Sequence, residues 1–395
     1  MQRQRVRIGI DQLVSEQFRV LEGKRVGVLT HAPACDSFLR PTLALFQEAL
    51  GDKLKIVFAP EHGFHGHAQD LEPVTIDASK TQTEFISLYG DDVSSLHPKS
   101  IDLAKIDILV VDLVDVGSRF YTFQASMLYC MKAAFAQDLP VLVLDRPNPL
   151  GGRVVEGPML KSGWDSFVGV HSIPARHGMT IAELARLYQG ELGLEGDLEV
   201  IPCDGYNRSL WQDQTTVPWI MPSPNMPSLD TAIVYPGQCL LEGTNLSEGR
   251  GTTRPFEIFG APWLIADRTT DVLNDLDLPG ARFRPVNFRP TFQKWHGQMC
   301  GGAQLHVLDR ELFCPVRSSL AILQQLRDLD PSHFAWRTEI YEFVSDRLAI
   351  DLLFGSDRER LAIEQGIRWS GIAGDWKAEE ENFLVTRRPY LIYPE

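Results

Sequence analysis

Glu61, His62, His65 and His67 fall within seven positions of one another, in the stretch APEHGFHGH that follows an apolar run, and three of the chain's ten histidines are there. Side chains of these types can hold a metal, move protons or tie down a loop. Zinc ligands supplied by one element usually stand at i, i+4 on a helix or come as cysteine pairs. Gly63 and Gly66 prevent a regular helix here, and no cysteine or distant histidine pair completes a set. The expectation is therefore no metal and no cofactor, with Glu61 doing acid–base chemistry. A metal-dependent hydrolase using His62, His65 and His67 is the competing reading.

Three further stretches are as dense in polar groups. DLVDVGSRFYT (112–122) offers Asp115, Arg119 and Tyr121, and LDRPNPLGG (144–152) offers Asp145, Arg146 and Asn148, with Glu156 just beyond. EGTNLSEGRGTTRPFE (242–257) offers Glu242, Asn245, Glu248, Arg250 and Arg254, and His177 precedes a helix-like segment in ARHGMT. Arginine suits bidentate contact with carboxylates and hydroxyls. A phosphate loop is excluded by the lack of G-K-[ST] and by the acids, which would repel phosphate; no serine sits in G-x-S-x-G. Carboxylates, arginines, amides and aromatic rings at one rim suit a sugar, and two carboxyls suit cleavage of a glycosidic bond.

The elements that must position these groups are legible from apolar periodicity. Runs at 25–30, 56–59, 106–111 and 141–144 read as strands, and 41–50, 121–137 and 180–190 as helices, the last with Thr180 and Glu183 as a capping box. Near-continuous apolar strands alternating with helices predict a parallel sheet covered on both faces, a Rossmann-like α/β domain. No G-x-G-x-x-G follows the first strand, so no dinucleotide is implied. Ligands of such sheets bind at the carboxyl ends of the strands. The four strands are thus expected as parallel neighbours, with Glu61, Asp115 and Arg146 in one crevice.

The proline-rich stretch TVPWIMPSPNMPSLDT reads as a rigid connector and divides the chain into 1–229 and 230–395. A smaller α+β domain is expected in the second part, with a strand at 302–307 and helices at 317–328 and 357–366. A chain of 395 residues, 44% hydrophobic and 23% charged, exceeds what one core usually holds. The net charge of −14 speaks against nucleic acid as partner. No apolar run reaches the ~18 residues of a membrane span, and the first twenty residues lack an apolar signal region. A cytoplasmic protein without membrane insertion is expected; composition fixes no oligomeric state.

The motifs PEHGF, SLYG, RFYT, LDRPNPLGG, RHGMT, PSPNMP, LEGTN and SEGRGTT recur together along most of the chain. By them it resembles the exo-β-N-acetylmuramidases of the NamZ type (glycoside hydrolase family 171, formerly a domain of unknown function). The resemblance implies a Rossmann-like domain, a smaller second domain, a cleft between them, and release of terminal N-acetylmuramic acid from peptidoglycan fragments. It departs from the family pattern at His31, after the first strand, and at His65, where arginine is usual; members are often exported. On this basis Glu61 is the expected general acid, with Glu156 first, then Glu72 and Glu248, as the second carboxylate. His62, Glu72, Asp115, Arg119, Tyr121, Arg146, Asn148, His177, Asn225, Asn245, Glu248 and Arg250 are the expected substrate contacts, an arginine among them meeting the lactyl carboxylate. A non-catalytic amino-sugar-binding protein on the same fold is the alternative.

Overall fold

Aliphatic side chains at consecutive positions can all be buried only in a strand covered on both faces. A computed structural model, which describes residues 3–61, 63–64 and 83–394, shows the result. The strands are β1 (Val26–Thr30), β2 (Leu54–Ala59), β3 (Glu84–Ser87), β4 (Ile108–Asp112) and β5 (Val141–Leu144), then a ribbon of β6 (Glu156–Met159) and β7 (Pro174–Arg176), then β8 (Leu198–Ile201). The main sheet is parallel throughout, in the order β3-β2-β1-β4-β5-β8. Alternate side chains feed opposite faces. Val28, Val110 and Leu142 join a core with Leu45 and Phe46 of α1 (Thr42–Leu50). Leu29, Val111 and Val143 join the other core, with α2 (Phe123–Phe135) and α3 (Ile181–Glu191).

The chain enters the sheet at its middle, walks outward through β2 to β3, and returns to lay β4 on the far side of β1, with Thr30 beside Asp112. The loops after β1 and β4 therefore diverge, and a crevice opens at the carboxyl ends of these strands. The four expected strands are neighbours in this sheet. The edge strands β3 and β8 were not expected from sequence. Their residues are mostly half-exposed, so neither carries a continuous apolar run. The expected capping box is present: the Thr180 hydroxyl accepts the Glu183 N–H at 3.3 Å, and the Glu183 carboxylate accepts the Thr180 N–H at 3.1 Å.

The second half is α+β. Antiparallel β9 (Ile258–Ala261), β10 (Ala281–Phe288) and β11 (Cys300–Val307), in the order β10-β11-β9, pack with α4 (Leu229–Gln238) and α5 (Pro315–Leu329). The strand expected at 302–307 is the body of β11, and the expected helices fall within α5 and at Arg358–Glu364. Helices α4 and α5 meet backbone to backbone at Gly237, where a Cβ would stand 1.9 Å from the Pro315 carbonyl oxygen. The core on the α2 face runs on without interruption into Leu240, Leu320 and Phe354, so the two halves share apolar packing. Among the described residues no helix is long and apolar enough to cross a membrane.

The last helix, α6 (Lys377–Thr386), and the tail return to the first half. Glu380 accepts the Gly157 N–H at 2.8 Å, and the Tyr393 hydroxyl donates to Asp145 Oδ2 at 2.5 Å while accepting the Cys203 N–H at 2.7 Å. Leaving buried hydrogen-bonding groups unpartnered typically costs about 1–3 kcal/mol. Tyr393→Phe should therefore lower the urea midpoint by that equivalent without changing the m-value. An unchanged midpoint would make the tail a passenger rather than a tie.

Candidate active site

Pro60 ends β2 because it has no N–H for the ladder. Gly63, at φ +70°, donates its N–H to the Pro60 carbonyl at 3.1 Å and closes a turn that buries Glu61 to 5% exposure. Thr122, the residue before α2, donates its hydroxyl to Glu61 Oε2 at 2.6 Å. Two strand-end loops, after β2 and β4, thus fix one carboxyl.

The second half brings a second one. Glu242 lies in the 3-10 turn Cys239–Gly243 that follows α4. Arg250 donates to Glu242 Oε1 at 2.6 Å, and the Tyr341 hydroxyl donates to Glu242 Oε2 at 2.8 Å. Arg250 also faces Glu248 at 3.5 Å and lies over the Phe256 ring, 5.1 Å from its centroid. Lys294 holds Glu248 at 3.0 Å. Glu61, Tyr121, Asn225, Glu242, Arg250 and Glu342 line one pocket, built from both halves and the proline-rich connector.

The two carboxyls are electrostatically opposed. Burial raises the pKa of Glu61 to about 7; the Thr122 hydrogen bond and Arg250 work against this rise and Glu242 adds to it. Burial also disfavours charge on Glu242, but Arg250, Tyr341 and Lys294 outweigh it and hold the pKa below the ordinary range. One carboxyl keeps its proton near neutral pH while its neighbour stays ionised, the condition for a proton donor facing a fixed negative charge.

The expected contacts divide on this geometry. Tyr121, Asn225 and Arg250 join Glu61, and Glu248 stands behind Arg250 rather than in the pocket lining. Glu156 is placed elsewhere: its Oε1 accepts the Arg317 N–H at 2.8 Å where β6 meets α5, so it ties the two halves and does not face Glu61. The carboxyls that share the pocket lining with Glu61 are Glu242 and Glu342. Asp115 and Arg146 do not share the crevice of Glu61 but line a neighbouring one. Arg146 is held by Asp112 at 2.6 and 2.9 Å, because an arginine at the end of β5 meets the acid at the end of β4. Asn148 donates to the Met179 carbonyl and accepts the Leu150 N–H, and so braces two loops. His177 is fully buried and accepts the Met179 N–H through Nδ1; burial, then Arg387 and Arg176, lower its pKa to about 3 and keep it neutral. Asn245 donates to the His333 carbonyl and accepts the Ala335 N–H, on the wall of a different groove. His62 and Glu72, with His65 and His67, lie outside the described residues. Among the described residues no group of three or more His, Cys, Asp or Glu side chains is arranged to hold a metal ion.

Arg119 departs furthest from expectation. It is fully buried and donates to the carbonyls of Pro158, Ile173 and Leu353 at 2.8, 2.8 and 2.6 Å, which leaves no reach toward a ligand. It cross-links the β6 and β7 segments with the second half. Arg119→Met is expected to cost about 2–5 kcal/mol in chemical denaturation, since three buried carbonyls lose their donor. A raised KM with unchanged stability would return Arg119 to substrate binding.

Thr122, Ser223, Tyr341 and Glu342 were missed by sequence, and Glu242 was noticed only as part of a polar stretch. Tyr341 and Glu342 lie in TEIYEF, which carries no motif. A signal exists in the backbone: Glu342 and Phe343 hold φ of +45° and +66°, a region costly for such residues and common at functional sites.

Comparison with known proteins adds an independent line. The family model described as "Exo-beta-N-acetylmuramidase NamZ, N-terminal" matches residues 26–230, and that described as its C-terminal part matches residues 233–393. The chain is 41% identical over 391 residues to the peptidoglycan beta-N-acetylmuramidase NamZ of Bacillus subtilis (strain 168), covering 98% of this chain and 92% of that one. Two crystal structures of DUF1343 family proteins from Bacteroides fragilis NCTC 9343 share the fold, each 32% identical. They superpose with TM-scores of 0.88, over 99% of this chain and 100% of the other, and 0.74, over 99% of both.

Proposed function

The chain belongs to the NamZ family of exo-β-N-acetylmuramidases, and from that membership and the opposed carboxyls of its pocket we infer a glycoside hydrolase that releases terminal N-acetylmuramic acid from the non-reducing end of peptidoglycan fragments. The observation that carries the reading is the pair Glu61 and Glu242. One carboxyl is raised to about 7 by burial; the other is held ionised by Arg250 and Tyr341.

In glycoside cleavage the leaving oxygen must gain a proton while the anomeric carbon becomes positively charged. Glu61 is suited to donate that proton from the end of β2. Glu242 presents a fixed negative charge to the developing oxocarbenium ion. Both its oxygens are already hydrogen-bonded, so no reorganisation is needed when charge develops. Arg250, Tyr121 and Asn225 face the same space and are proposed to bind the lactyl carboxylate, hydroxyls and acetamido group. Burial excludes water and strengthens each of these interactions.

The test is incubation with a muropeptide disaccharide and with a 4-nitrophenyl β-muramide, with and without chelator. Release of free N-acetylmuramic acid from the non-reducing end alone, unaffected by chelator, is the expected result. Binding without turnover would sink the hydrolase reading, and loss of turnover with chelator would return the 62–67 histidines as ligands. Such an activity would serve the recycling of cell-wall fragments within the cell, and fractionation against a cytoplasmic marker checks that location.

A further inference from the structure

The stretch PTFQKW (290–295), in the loop between β10 and β11, lies outside the lining of the Glu61 pocket, yet it grips the backbone on both sides of the Glu242–Arg250 pair. Thr291 donates its N–H and its hydroxyl to the Gly251 carbonyl, at 3.0 and 2.9 Å, next to Arg250. A Cβ at Gly251 would stand 2.7 Å from the Thr291 nitrogen, so the two loops meet backbone to backbone. Lys294 reaches the segment that carries Glu242. Its ammonium donates to the carbonyls of Leu241 at 2.9 Å and Leu246 at 3.0 Å, and it lies 3.4 Å from the carbonyl of Glu242 itself. Its remaining partner is Glu248 Oε2, at 3.0 Å. Trp295 Nε1 adds a hydrogen bond to the Asn245 carbonyl at 2.6 Å.

The loop is bent to make this grip. Gln293 and Trp295, on either side of Lys294, hold φ of +64° and +59°. Residues other than glycine keep such a backbone only where their surroundings impose it. The consequence for Arg250 is a matter of competition. Two buried carboxylates face it, Glu242 at 2.6 Å and Glu248 at 3.5 Å. A buried carboxylate without a partner is costly, so an uncompensated Glu248 would draw Arg250 toward itself. Lys294 compensates Glu248, and Arg250 rests on Glu242. The Lys294 charge also helps, after Arg250 and Tyr341, to hold Glu242 ionised.

We propose that Lys294 is a positioning residue for the reaction: it fixes the backbone that carries Glu242 and occupies Glu248, so that Arg250 stays on Glu242 and that carboxylate keeps its place in the pocket it shares with Glu61. Lys294 acts through Glu242 and not on the substrate. The assignment rests on the reading of Glu242 as the fixed charge of the proposed mechanism.

A double-mutant cycle tests it. Lys294→Met keeps most of the side chain's length and removes the ammonium. Its kcat should fall about 10–10²-fold, equally on the muropeptide disaccharide and the nitrophenyl muramide, with KM changed by less than about threefold, because a reacting partner displaced by about 1 Å costs up to that much. In the Glu242→Gln background the same substitution should cost less than about threefold more, since the group through which it acts is already disabled. General destabilisation would instead multiply the two losses. If thermal unfolding shows that Lys294→Met does not fold, Trp295→Phe carries the same cycle. It keeps an aromatic ring, withdraws one donor from the Asn245 carbonyl, and should lower kcat about three- to tenfold, again only while Glu242 is present. Unchanged kcat in the folded variant, beside a large loss in Glu242→Gln, overturns the positioning role and leaves Glu242 in place. Losses that multiply in the double variant overturn it as well, since Lys294 then acts by another route. Unchanged kcat in Glu242→Gln overturns the reading of Glu242 itself, and the role of Lys294 with it.

Discussion

Glu61→Gln is expected to lower kcat on a muropeptide by ~10²–10⁴-fold, the usual size of a lost general acid. The amide keeps the shape and can still accept the Thr122 hydroxyl seen at 2.6 Å, so the fold should be intact and the loss should fall on kcat. A nitrophenyl leaving group departs without a proton, so the same variant should lose much less on the aryl muramide. The pH profile follows from the sign of the shift. Glu61 must be protonated to act, and its pKa is raised to about 7. Turnover should therefore hold on the acid side of that value and fall as pH rises through it, and the variant should lose this alkaline limb. Equal losses on both substrates would make Glu61 a nucleophile or base, and full activity on both would return its stretch to a structural role.

Glu242→Gln should give a different signature. In the proposed mechanism its charge faces the anomeric carbon whichever group leaves, so natural and activated substrates should both slow, by ~10²–10³-fold, the typical effect of removing a preorganised electrostatic partner. Glu242 is also one of the groups that raise the pKa of Glu61. Without its charge the alkaline limb of the remaining activity should move to lower pH. Arg250 retains Glu248 at 3.5 Å, so thermal unfolding should show a folded protein. Retained activity in Glu242→Gln together with a large loss in Glu342→Gln would assign the charge to Glu342, which faces the same pocket and accepts the Tyr89 hydroxyl at 3.2 Å. Proton NMR of the first-formed anomer then separates inversion from retention.

The contrast between the two glutamates bears on how the site could be found. Glu61 was legible because its place depends on local rules: an apolar run, a proline that ends it, a glycine that turns it, and a parallel sheet whose ligands gather at the strand ends. Glu242 stood in a stretch whose density of polar groups was visible, but nothing nearby in sequence says that its partners are Arg250 on one oxygen and Tyr341 on the other. Arg119 and Arg250 look alike in sequence, each an arginine in a glycine-containing polar loop. One is consumed by three backbone carbonyls; the other faces a pocket.

By itself the sequence determined the near-continuous apolar runs and the period-3.6 patterns, and with them the doubly wound sheet, the four central strands, the capped helix at Thr180 and the loops that carry polar groups to one rim. These follow from the burial of one residue after the next, which is a local property. Tertiary structure alone decided which polar groups remain available. A buried charge must be paired or hydrogen-bonded, and its partner is chosen by packing between segments far apart in the chain. That is how Asp112 claims Arg146, how Arg317 claims Glu156, and how the second half delivers Glu242 to Glu61.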